Sequence, residues 1–185
     1  GQVIYSHAHG SARPSLQNNV FNNNSRYPIE LAGGGFPTYS GNTFQGSGIK
    51  AINMYGFWDD DLGGIWPAVN GTSDTGGLPY VYRFDGVTRV DTGGAVSFSP
   101  GAIIKMADYA LFKTSAYLTY AGASAGSPTV ITSWSDDTVR GDTNADGAST
   151  SPSKGSWYGF FLTGTKPALT QYLDVRYGVF GLQYE

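Results

Sequence analysis

Pro14-Ser15-Leu16-Gln17-Asn18-Asn19-Val20-Phe21-Asn22 is followed by Pro37-Thr38-Tyr39-Ser40-Gly41-Asn42-Thr43-Phe44-Gln45, and the two stretches repeat each other. Pro14 to Pro37, Asn19 to Asn42 and Phe21 to Phe44 are each 23 residues apart. The same offset carries Ile29 to Ile52, Leu31 to Met54 and Gly33 to Gly56. A shared period over six positions is the mark of a stacked repeat, in which each unit buries its apolar face against the next. Identical side chains should then stack one layer apart, at the strand spacing of about 4.8 Å. Phe21 is expected over Phe44 and Ile29 over Ile52. Asn19 over Asn42 would form an amide ladder of the kind found in cross-β stacks.

The rest of the chain supplies the short strands that such a stack needs. Short runs of strand character occur at Val3–Ser6, Pro28–Leu31, Lys50–Met54, Ala95–Phe98, Ile103–Met106, Tyr117–Tyr120, Thr129–Thr132, Gly159–Leu162 and Tyr172–Val175. Gly, Pro, Asn or Ser bound most of these runs, as strand ends require. Pro100 to Thr114 comes nearest to a helical period, but Gly101 and the β-branched Ile103-Ile104 favour two strands. The expected fold is all-β: a right-handed parallel β-helix, a solenoid of about 23-residue coils with two protruding loops. One domain spans residues 1–185. Residues 1–56 are regular coils, 57–79 a loop insertion, 80–133 further coils, 134–158 an acidic loop and 159–185 closing coils.

Composition narrows the function. The 185 residues carry 11 Lys and Arg against 14 Asp and Glu, a net charge of −3 that offers no surplus for nucleic-acid phosphates. Cysteine is absent, which removes disulfides, thiolate metal sites and thiol nucleophiles together. Charged residues make up 14% of the chain, against about 25% in an average domain. With 27 Gly, 13 Tyr and 10 Phe, the profile suits a β-rich extracellular protein. No apolar stretch approaches the roughly 18 residues of a membrane span, so membrane insertion is not expected.

Residues Trp134-Ser135-Asp136-Asp137 through Gly141-Asp142-Thr143-Asn144-Ala145-Asp146-Gly147 to Ser156-Trp157-Tyr158-Gly159 resemble a signature of large secreted bacterial surface proteins built of right-handed parallel β-helix repeats. The flanks agree: Val96–Lys105, Ser127–Thr132 and Leu173–Gly178 resemble the strands on either side of that signature. The match runs from about residue 78 to 178 and more loosely over 1–56. Arg140-Gly141 stands where relatives carry two glycines, Ala145 where glycine is common, and Tyr158 where glycine tends to follow the tryptophan. The resemblance implies the fold and an extracellular or cell-surface setting, and no single activity.

Asp142-Thr143-Asn144-Ala145-Asp146-Gly147 reads as D-x-N-x-D-G, the opening of a calcium loop whose alternate oxygens face a hard cation and whose glycine makes the bend. The twelfth position, where an EF-hand places a bidentate Glu, is Ser153. Asp136 and Asp137 are the candidates for the missing carboxylate, and the alternative is a polar turn capped by its own side chains. Asp59-Asp60-Asp61, between Trp58 and Trp66, reads as a solvated tip, with a cation site or, together with the tryptophans, a sugar-stacking groove as alternatives. His7 and His9 share a strand face, but no third metal ligand is evident. Trp58, Trp66 and Trp157 are the candidate glycan-facing residues.

Catalysis finds little support: a Cys–His pair is missing, and no phosphate-binding glycine loop opens a helix. Neither end of the chain resembles a cap, and the C-terminal run Tyr172–Tyr184 reads as continuous with Val3–Phe21. The expected role is therefore structural. Copies stack head to tail into a surface fibre, or the chain is part of a longer repeat protein. A glycan-binding adhesin module is the alternative, and a polysaccharide lyase or glycosidase stands behind it.

Overall fold

The computed structural model describes residues 2–5, 12–33, 35–58, 63–69, 79–91, 93–163 and 169–185. His7, His9 and Asp59–Asp61 lie outside the described residues. Among those described there are eighteen strands and no helix, and hence none long and apolar enough to cross a membrane. In the N-terminal part these are β1 (Gln2–Tyr5), β2 (Ser15–Gln17), β3 (Val20–Asn22), β4 (Ile29–Ala32), β5 (Thr38–Ser40), β6 (Thr43–Gln45), β7 (Ala51–Trp58) and β8 (Gly63–Trp66). The central strands are β9 (Val81–Val90), β10 (Ala95–Phe98), β11 (Ile103–Met106), β12 (Leu111–Thr114), β13 (Tyr117–Ala121) and β14 (Thr129–Ser133). The last four are β15 (Trp157–Leu162), β16 (Leu169–Gln171), β17 (Leu173–Val175) and β18 (Gly178–Tyr184).

All the pairings between these strands are parallel. A ten-stranded sheet runs β1-β4-β7-β9-β11-β14-β17, with β12, β15 and β18 branching from it. A four-stranded sheet has the order β16-β13-β10-β8, and β2-β5 and β3-β6 form two small ladders. The branch arises at β9, whose first half pairs with β11 and whose second half pairs with β12. Gly56 in β7 and Gly86 in β9 take φ of 92° and 55° where the register between the two strands slips. Glycine permits those angles without a Cβ clash, so both strands turn a corner there.

The 23-residue offset of the sequence is seen where it was read. Leu16 pairs with Tyr39, Phe21 with Phe44 and Ile29 with Ile52. The Phe21 and Phe44 rings stack at 4.8 Å, 6° from parallel. Asn42 Oδ1 accepts from both the backbone amide and the side-chain amide of Asn19, at 3.0 Å each, while its own Nδ2 donates to Leu16 O at 2.7 Å. Elsewhere the spacing departs from 23. Gln2 pairs with Ile29, Ile103 with Val130 and Thr129 with Leu173, because the connections lengthen.

Side-chain alternation places the core. Ile29, Ile52, Tyr82, Ile104 and Ile131 stand in register on β4, β7, β9, β11 and β14, and all are buried. Full burial of such side chains is worth about 1.5–3 kcal/mol each. Phe112 lies under Phe160 with ring centroids 4.1 Å apart. Two expectations fail at the tryptophans. Residues 63–66, expected in a loop insertion, form β8 and pair with β10. Trp58, Trp66 and Trp157, expected to face glycans, are all in the core. Trp66 packs against Phe36 and Phe98, and its Nε1 and that of Trp58 both donate to Gly35 O. Trp157 Nε1 donates to Arg176 O at 2.8 Å. An indole that fills an interlayer gap and finds a carbonyl for its N–H gains more by burial than by exposure.

Candidate metal centre in the acidic loop

On the side of the sheet opposite the isoleucine column, the same register aligns Glu30, Asn53, Arg83, Lys105 and Thr132. Asn53 Nδ2 donates to Glu30 Oε2 at 2.9 Å and Arg83 Nη1 donates to Asn53 Oδ1 at 2.7 Å. This polar row is the floor of the site. Its roof comes from the connection between β14 and β15. The preceding layer joins β11 to β12 through residues 107–110, whereas residues 134–156 make the equivalent corner here. The longer corner holds turns without strand or helix. It folds back over the row instead of projecting freely: Lys50 N donates to Thr143 O at 3.0 Å, and Thr143 is buried.

Lys105 is the pillar between floor and roof. Alternation along Ile104-Lys105-Met106 turns it away from the core, and the loop covers it until its exposure is 0%. Its Nζ donates to Asp136 O at 2.8 Å and Thr143 Oγ1 at 2.7 Å, with Gly141 O at 3.4 Å. Burial pulls its pKa down to about 8, against the opposing pull of the carboxylates of Asp137, Asp136 and Asp142. Sequence reasoning missed this role. The signal was a lysine alternating with buried apolar residues, one strand before a long acidic insertion.

The two candidates for the extra carboxylate separate. Asp136 is buried, which alone would raise its pKa. Donation from Thr132 Oγ1 and Thr138 Oγ1, each at 2.6 Å, and from Thr138 N outweighs that and holds the acid below its ordinary value, with help from Lys105. Its Oδ2 also lies 3.9 Å from Arg176 Nη1. Asp136 is thus an internal brace. Asp137 instead gathers with Asp142 and Asp146, one carboxylate oxygen from each lying within 4.8 Å of the others. Burial and the neighbouring acids Asp142, Asp146 and Asp136 raise the Asp137 pKa despite Lys105.

The D-x-N-x-D-G turn holds this group in shape. Asp142 Oδ1 and Oδ2 accept from the amides of Asp146 and Gly147, at 3.1 and 3.0 Å. Asn144 Nδ2 donates to Asp146 Oδ2 at 2.9 Å, and Thr150 Oγ1 donates to the same oxygen. Arg140, Gly141, Ala145 and Gly147 all take left-handed backbone, with φ from 61° to 74°. Of the three positions where the resemblance expects glycine and another residue stands, 140 and 145 therefore keep glycine-like geometry, and Tyr158 does not. Comparison with protein-family models, with curated proteins and with solved structures gives no match for this chain.

Proposed function

We propose that the chain is a structural segment of a right-handed parallel β-solenoid in an extracellular or cell-surface protein. The observation that carries this reading is the uniformly parallel pairing, in which like residues stack from layer to layer. A parallel layer leaves one edge ready for the next. Among the described strands, β17 pairs on one side with β14 and β18 on one side with β15. Around that edge Val179, Phe180 and Tyr184 are exposed, with Tyr158 edge-on to Phe180 at 5.6 Å. Such an edge accepts another layer, from a longer polypeptide or from a second copy stacked head to tail. A heterologous contact of this kind that does not close gives a filament.

Light scattering and electron microscopy of the purified chain, beside Phe180→Lys, test the head-to-tail form. Rods that lengthen with concentration and shorten in the variant support it. A monomer at all concentrations overturns self-stacking and leaves the longer-protein form, which predicts that a tandem fusion of two copies melts higher than one copy.

A further inference from the structure

We propose that the acidic loop binds one calcium ion through Asp137, Asp142, Asn144 and Asp146, and that the ion clamps the loop over Lys105. Two independent observations converge on it. The three carboxylates gather within 4.8 Å, close to the largest separation that two oxygens each about 2.4 Å from one ion can have. In addition Asp137 Oδ1, Asn144 Oδ1 and Asp146 Oδ1 are all shut off from solvent and accept no hydrogen bond. Buried acceptors left without a donor are costly, and three of them in one turn call for a shared positive partner.

Charge and donor type select the ion. Asp136, Asp137, Asp142 and Asp146 stand against Arg140 and Lys154 of the loop and Lys105 beneath it, which leaves one negative charge, since Arg176 is paired with Asp174. A cation balances it, and three carboxylates at one point favour a divalent one. The donors are carboxylate and amide oxygens, with neither imidazole nor sulfur, which favours a hard ion. Calcium accepts the irregular geometry of a flexible turn, whereas magnesium demands a near-ideal octahedron and keeps its waters. Asp136 is left out of the ligand set because it is buried against Thr132 and Thr138 and is not one of the acids whose oxygens gather at one point. The site stands whether or not the ladder continues into another copy.

The test begins with chelator-stripped wild-type chain. Titration calorimetry with calcium chloride should show one saturable site, and thermal melting should move upward in about 5 mM calcium but not in equal magnesium. Asp146→Asn should weaken binding by about tenfold or more, Asn144→Ala by less, and the exposed Asp108→Asn should bind as wild type. A wild-type chain that gives neither heat nor a melting shift overturns the proposal, as does equal stabilisation by magnesium. Unchanged affinity in Asp146→Asn also overturns it. Should Asp146→Asn fail to fold, the wild-type titration and Asn144→Ala decide alone.

Discussion

Ala145 sits on the left-handed side of the backbone map, with φ at 61°, two residues before Gly147 at 74°. Left-handed backbone costs an L-residue with a Cβ about 1–2 kcal/mol. Replacing Ala145 by Gly removes that strain, while the greater freedom of glycine in the unfolded chain returns about 0.5–1 kcal/mol. The methyl group has little packing to lose, since Ala145 is exposed and looks across at Gly48, where even an added Cβ would stand 3.7 Å away. The net expectation is a gain of about 0.5–1 kcal/mol. Gly147→Ala is the mirror experiment. A Cβ there meets nothing within 4 Å, so its cost of about 1 kcal/mol is backbone alone.

Urea unfolding followed by tryptophan fluorescence reads both variants in one assay. With a slope of about 2 kcal/mol/M, the midpoint should rise by about 0.3–0.5 M for Ala145→Gly and fall by about 0.5 M for Gly147→Ala. An unchanged or lower midpoint for Ala145→Gly, with Gly147→Ala destabilised as expected, would refute a left-handed position 145. Two neutral variants would refute the turn itself.

Three other outcomes are expected. Asn42→Ala removes three hydrogen bonds between adjacent layers and should cost about 2 kcal/mol in urea melts, against little for the exposed Gln17→Ala. Phe112→Ala empties the space between Phe84 and Phe160 and should cost about 3–5 kcal/mol by the same assay. Lys105→Met orphans Asp136 O and Thr143 Oγ1 and should cost about 2 kcal/mol at neutral pH, where relief of the buried charge offsets part of the loss. Because the folded lysine titrates at about 8 and the unfolded one near 10.5, the unfolded chain holds more protons between them. In calcium-free buffer wild type should therefore gain on Lys105→Met by up to about 3 kcal/mol as pH climbs through that window, which pH-dependent urea melts measure.

The parallel stacking was legible because it needs only spacing. Phe21 and Phe44, or Ile29 and Ile52, declare a layer by recurring at the same offset, and the alternation between them fixes which side faces in. What spacing does not carry is the length of each corner. One corner closes in residues 107–110 and the equivalent one takes 134–156, and the offset is already 27 between β1 and β4, so no single period runs through the chain. The ten-residue β9 was hidden for a related reason. Asp85 and Gly86 look like a turn between two short runs, yet the chain merely bends there and pairs on both sides of the bend.

The tryptophans and Lys105 share a different physical lesson. Local sequence assigns exposure by neighbours: Trp58 borders three aspartates, Trp66 follows glycines, and Lys105 is charged. Burial is instead decided by what a distant segment lays on top. Phe36 and Phe98 close over Trp66, and Gly35 offers the carbonyl that both indoles need. Residues 136–143 close over Lys105 and hand its ammonium two close acceptors. A lysine so enclosed is costly unless negative charge stands near it, and the acids that make the loop a candidate cation site supply that charge. They outnumber the cations around them. The loop that satisfies Lys105 is therefore left with a charge of its own to balance, and that imbalance ties the buried lysine to the proposed calcium ion.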